Sequence, residues 1–118
     1  DIVAQNEKDY ADWLAQNSAD ATLPKDSLAM QGSEIFQTGT CASCHRIRGT
    51  NSLGVVGPDL THFDSRKKML GGIMNIDSMN IYKWISGPQK IKPGSKMPDF
   101  IFNQDTLQAL TAYLLQLK

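Results

Sequence analysis

Apolar positions recur at helical spacing in several separate stretches, and polar, glycine-rich segments divide them. Tyr10, Trp13 and Leu14 stand at i, i+3 and i+4. With Asn6 as a cap and Asp9 three residues later, they predict a short helix over Asn6–Asn17. Ser27 reads as the cap of a second helix over about Leu28–Thr38, with Leu28, Met30 and Ile35 facing inward and Gly39 as its stop. Ser65–Leu70 and Asn80–Ser86 read as brief helices, the latter capped by Asn80 and ended by Gly87-Pro88. The clearest stripe is the last: Asn103 as cap, then Leu107, Leu110, Tyr113, Leu114 and Leu117. No alternation of strand type persists anywhere. Ser18–Asp26 reads as a linker, while Gly39–Pro58 and Ile91–Asn103 have loop chemistry.

An irregular stretch as long as Gly39–Pro58 is uncommon in a compact domain unless something organises it. Only 41% of the 118 residues are hydrophobic, which is thin for a chain of this size. Short helices and long loops with so little apolar content need a further body at the centre. The length fits one domain with a short appendage. No apolar run approaches the roughly 20 residues of a membrane-spanning helix. The absence of an initiator Met and of a signal segment suggests a processed chain or an excised piece.

Charge separates the chain into two parts. Twelve bases balance 12 acids overall, yet residues 1–34 carry seven acids against Lys8 and Lys25, a net of −5. Residues 35–118 carry the complementary +5. The sum excludes a strongly basic nucleic-acid binder, and no aromatic-interleaved basic motif supports one. The division is drawn as an acidic connector over residues 1–26 and a body over residues 27–118.

Cys41-Ala42-Ser43-Cys44-His45 is a C-x-x-C-H motif, the attachment signature of c-type haem. Two thiols at this spacing can add to the two vinyl groups of one porphyrin, and the adjacent His45 then lies under the iron. A redox dithiol would need a strand–helix setting that the pattern lacks. A zinc site would need a second ligand pair, and only His62 remains to offer a nitrogen. A haem also supplies the missing centre of the core.

Candidates for the second axial position are Met69, Met74, Met79, Met97 and His62. Met97 is favoured because Gly94-Ser95-Lys96-Met97-Pro98 is a stiff turn that keeps a thioether in place; a Met/His pair raises the reduction potential. The alternative for any Met is core filling or an exposed side chain. Around the iron, a carbonyl of Gly57-Pro58 is expected to accept the Nδ1–H of His45. The Trp84 indole N–H suits a haem propionate. Arg66 suits the other propionate or a partner surface, or else belongs to a solvated run with Lys67 and Lys68. His62 reads as a structural or propionate-side histidine.

With these residues in place, the sequence resembles the class I c-type cytochromes over about residues 28–118. The resemblance rests on Gly32 with Phe36, on Cys41, Cys44 and His45, on Gly57-Pro58, Trp84, Met97-Pro98, and on Tyr113. It implies an all-α fold of short helices and long loops wrapped around one covalent haem c, with the first and last helices crossing at Gly32. The segments His45–Thr50, Gly57–Phe63 and Trp84–Gly94 look like the cytochrome c domain of subunit II of caa-type haem-copper oxidases. The opening residues 3–16 are similar to the segment that leaves the copper-A domain there. No cysteine or histidine precedes Cys41, so the copper-A ligands have no counterpart in this chain.

The resemblance implies an electron carrier, with no catalysis by the domain itself. It would accept an electron from a donor cytochrome c or a quinol-oxidising complex and pass it to copper-A, beside the catalytic subunit of the oxidase. Lys90, Lys92 and Lys96 flank Met97 and suit an acidic partner face. The expected location is the outer face of a bacterial plasma membrane, with this part soluble and the full-length protein membrane-anchored. Two other readings stand beside it. One is a freestanding cytochrome c shuttle. The other is a haem ligand sensor or peroxidase, which needs an open sixth site.

Overall fold

A computed structural model describes residues 2–118. The chain runs through α1 (Glu7–Ser18), α2 (Ser27–Thr38), α3 (Cys41–Cys44), a 3-10 turn at Phe63–Ser65, β1 (Lys68–Met69) and β2 (Met74–Asn75). It continues through α4 (Ser78–Ser86), α5 (Pro88–Ile91) and α6 (Gln104–Leu114). None of these helices is long and apolar enough to cross a membrane.

The core is built where α2 crosses α6, with α4 packed on α6. The stripe on α6 lies inward as expected, with Leu107, Leu110, Tyr113 and Leu114 buried and Leu117 completing it. Helix α2 presents Ala29, Gly32, Ser33 and Phe36, a helical stripe of mostly small residues. The crossing explains why. A Cβ on Gly32 would sit 2.0 Å from the Ala109 carbonyl oxygen and 2.9 Å from the Tyr113 Cβ, so the two backbones touch with nothing between them. Phe36 fills the space beside that contact, edge-on to Tyr113 at 5.8 Å. Leu28 and Met30, expected inward, are 41% and 54% exposed. Hydrophobicity pointed to them, but close approach selects for small size instead.

Two caps also differ from expectation. Asp26 rather than Ser27 caps α2, its Oδ1 accepting from the Ala29 N–H at 2.9 Å. Asp77 rather than Asn80 caps α4, accepting from the Asn80 N–H at 2.8 Å. In each pair a carboxylate is the stronger acceptor for the positive end of a helix. The expected helix over Ser65–Leu70 is replaced by the 3-10 turn and a hairpin, in which Lys68 pairs Asn75 and Met69 pairs Met74. Leu70, Gly71 and Gly72 all take positive φ there, at 57°, 72° and 98°, which no helix accommodates. Strands of two residues are too short to leave an alternation in sequence. Helix α5, also unanticipated, opens with Pro88 at its first turn, where a missing N–H costs nothing.

The segment read as a linker is docked. The Ala21 N–H donates to the Arg48 carbonyl at 3.1 Å, and the Arg48 guanidinium donates to the Asn17 carbonyl. Further on, the Thr22 hydroxyl donates to the Gln116 carbonyl, and the Lys25 N–H donates to Gln116 Oε1 at 2.7 Å. Residues 17–26 therefore form a strap across the body. Helix α1 projects beyond it and buries no residue.

Candidate functional site

Helix α3 is a single turn that carries Cys41 and Cys44, and the chain extends directly after it, with His45 at φ −105° and ψ 140°. The following loop folds back against this turn. The Gly57 N–H donates to the Cys44 carbonyl at 2.8 Å, and the Gly54 N–H donates to the Ala42 carbonyl at 3.1 Å. This brings the Pro58 carbonyl 2.9 Å from His45 Nδ1. A carbonyl only accepts, so Nδ1 carries a hydrogen, and of the two neutral tautomers the contact selects the one whose lone pair is on Nε2. The imidazole is thereby held in the tautomer that can ligate a metal. Gly57 is required for the same contact, because a Cβ there would lie 2.5 Å from His45 Cε1.

His45, Cys41 and Cys44 line one crevice of about 690 Å3, within the size range of small-molecule and cofactor sites. Its walls are largely apolar, with Phe36 from α2, Ile81 and Ile85 from α4, and Leu110 and Leu114 from α6. Pro58, Arg66, Trp84 and Met97 line the same crevice, so the seven residues singled out from sequence converge on it. The donor set of two thiols, one imidazole and one thioether around an apolar slot fits a covalently bound haem c. Burial pushes the Cys41 thiol up from its ordinary value, an effect only partly offset by a hydrogen bond from its own backbone N–H. A thiol kept protonated is a poor nucleophile, so Cys41 is not set up as an attacking thiolate. Among the described residues, no group of three or more His, Cys, Asp or Glu side chains is placed to hold a metal ion, so the zinc alternative lacks a ligand set.

The structure separates the methionines. Met69 and Met97 line the crevice, while Met30 and Met79 are exposed elsewhere, at 54% and 64%. Met69 is buried among the core residues. Met97 sits in the segment between α5 and α6, half-buried. That segment is tied to α5 through one side chain that sequence reading missed. Gln89 Nε2 donates to the Ser95 and Met97 carbonyls, each at 2.8 Å, and Gln89 Oε1 accepts from the Gly94 N–H at 3.1 Å. The Gln89 N–H in turn donates to Asp99 Oδ1 at 3.0 Å. No spacing rule marks a glutamine that acts through main-chain groups of a neighbouring loop.

Arg66 reaches back from the crevice lining, its Nη2 donating to the Asp59 carbonyl at 2.8 Å. His62 lies outside the crevice. It is buried beneath the strap, with Nε2 3.0 Å from both the Arg48 guanidinium and the Ala19 carbonyl. Of the lysines near Met97, Lys92 and Lys96 line the crevice and Lys90 does not.

Comparison with known proteins agrees with this geometry. The chain matches the Cytochrome c family over residues 29–118. It is 34% identical over 118 residues to cytochrome c oxidase subunit 2 of Alkalihalophilus pseudofirmus, covering 99% of this chain and 34% of that protein. It is 27% identical over 122 residues to the subunit 2 of Bacillus subtilis, with the same coverage, and 31% identical over 112 residues to that of Bacillus sp. strain PS3. In the last case the match covers 90% of this chain and 31% of the relative. The chain thus spans about a third of the length of these curated relatives. The family is one of covalent haem c and electron transfer, and it accounts for the cysteine pair, the adjacent His45 and the crevice they line. This chain belongs to the cytochrome c family.

Proposed function

We propose that this domain holds one haem c through Cys41 and Cys44, with His45 and Met97 as axial ligands. In this reading it relays single electrons from a donor cytochrome or a quinol-oxidising complex to the copper-A centre of a cytochrome c oxidase. The observation that carries the proposal is the His45 imidazole, oriented by the Pro58 carbonyl at Nδ1, on the same apolar crevice as both cysteines and Met97. When bound, the haem supplies an iron that alternates between Fe(II) and Fe(III). The chain's own residues do the rest. The Pro58 carbonyl sets the tautomer and strengthens the imidazole as a donor. The apolar walls exclude water, and Trp84 and Arg66 supply N–H donors for the two propionates. Lys92 and Lys96 add positive charge at the crevice, which steers an acidic partner face. The oxidase assignment draws on the relatives named as subunit 2 of that enzyme. With it comes a location on the outer face of a bacterial plasma membrane, in a longer protein anchored there.

Mass spectrometry of the holoprotein is expected to show one haem added through two thioethers. The ferric spectrum is expected to be low-spin with a thioether-to-iron charge-transfer band, which Met97→Ala abolishes. A high-spin spectrum, with cyanide or carbon monoxide binding freely, would overturn the carrier reading in favour of a ligand sensor or peroxidase. For the partner, stopped-flow mixing of the reduced holoprotein with an oxidised copper-A domain is expected to show transfer that slows with salt and on Lys92→Glu. Transfer indifferent to both would remove the steering role of the lysines.

A further inference from the structure

We propose that Gln89, braced by Asp99, is the positioning residue that keeps Met97 on the iron. The inference rests on the reading of Met97 as an axial ligand and goes beyond it to what holds that ligand in place. Sequence alone suggests that the proline and glycine of Gly94–Pro98 make the turn stiff. The structure shows little backbone pairing there, only the Ser95 N–H to the Lys92 carbonyl at 3.1 Å. The remaining ties come from side chains. Gln89 satisfies three main-chain groups of the loop at once, one of them the carbonyl of Met97 itself. The Ser95 hydroxyl accepts from the Met97 N–H at 3.2 Å. Asp99, beyond the loop, accepts the Gln89 N–H and so ties the far end of the segment back to the start of α5. Helix α5 is anchored in turn by Pro88, which is fully buried. The thioether is therefore referenced to the body through one half-buried amide. The Ser95 and Met97 carbonyls need N–H donors, and a glutamine provides both from a single nitrogen while its oxygen takes the Gly94 N–H.

A thioether is a weak ligand, so its occupancy depends on how seldom the loop opens. An external ligand binds only the open fraction, and its apparent affinity reports that fraction directly. The experiment is titration of the ferric holoprotein with imidazole, read by loss of the charge-transfer band. Met97→Ala lacks the competing thioether and gives the intrinsic affinity. Gln89→Ala removes all three contacts. Gln89→Glu keeps the acceptor for Gly94 N–H but loses both donations.

Both Gln89 variants are expected to bind imidazole about tenfold more tightly than the parent, the factor for losing hydrogen bonds of ordinary strength. They should still bind more weakly than Met97→Ala, with midpoints of thermal unfolding close to that of the parent. Asp99→Asn is expected to move affinity the same way by a smaller factor. It also carries the test if Gln89→Ala fails to mature. Parental imidazole affinity in Gln89→Glu and Asp99→Asn would overturn the proposal while leaving Met97 as the ligand. A charge-transfer band that survives Met97→Ala would instead overturn the ligand assignment on which it rests.

Discussion

Helices α1 and α6 carry similar stripes and have opposite fates. Tyr10, Trp13 and Leu14 are spaced on α1 as Leu110, Tyr113 and Leu114 are on α6, and each helix has an asparagine cap whose side chain accepts an N–H three residues on. Yet α6 buries its stripe, while on α1 Tyr10 and Trp13 stack on each other at 5.9 Å in the open. The difference lies in what faces them. Helix α6 meets Gly32 on α2, where a missing side chain lets two backbones close together. Helix α1 has no such packed partner: it is tied to the body by the Arg48 guanidinium on the Asn17 carbonyl, and its apolar side chains stay exposed. Periodicity establishes that a helix forms, and the partner decides whether it contributes to the core.

The largest effect should come from the α6 stripe. Leu110→Ala is expected to cost about 2–5 kcal/mol in chemical denaturation of the holoprotein. Gly32→Ala should cost about 1–3 kcal/mol, since the added methyl meets backbone that cannot move aside. Near-parental stability in either would mean that the crossing is not the centre of the fold. Arg48→Ala should release the strap, raising the hydrogen-exchange rate of the Ala21 amide while changing global stability by only about 1 kcal/mol. At the small end, Trp13→Ala should alter stability by no more than about 0.5 kcal/mol. A larger loss would show that α1 has a partner on the body after all.

Acid gives another way to loosen the strap without touching α6. The Asp59 carboxyl lies below its ordinary range. Burial opposes this, but the Thr61 hydroxyl and N–H and the charges of Arg48 and Arg46 outweigh it. The same Thr61 hydroxyl accepts the Arg48 N–H at 3.0 Å, which links Asp59 to the strap. A depressed carboxylate stabilises the folded state above its unfolded value of about 3.9 and loses that contribution as pH falls through its folded value. Protection of residues 19–25 should therefore decline below about pH 4 before that of α6, and Asp59→Asn should weaken this dependence, the remainder coming from Asp26, whose carboxyl is likewise held low by the Ala29 N–H and Gln116.

Much of this was legible in the chain itself, because some features depend on neighbours in sequence. The C-x-x-C-H run, the α6 stripe and the bounds of α1 to within one residue are of that kind. The Gly32 crossing was also visible, through the resemblance. What was hidden depends on competition or on distant contacts. Asp26 and Asp77 outcompete Ser27 and Asn80 as caps by charge. Leu28 and Met30 lost the inner face of α2 to smaller residues because the crossing is so close. The Met69–Met74 hairpin turns on a left-handed Leu70 that no composition rule marks. Gln89 works through main-chain groups of another segment, and His62 and Arg48 hold a strap that reads in sequence as free linker.

The strap also settles how the domain would bear a mechanical load. Tension applied through α1 reaches the body first at Arg48, three residues after His45, and next at Gln116 at the end of α6. Among the described residues, no hydrogen bond joins the Met97 segment to that path. A tug on the connector would thus be resisted in series by the proximal wall of the crevice and the terminal helix. The wall referenced through Gln89 lies off that path, so its hydrogen bonds would carry none of the load.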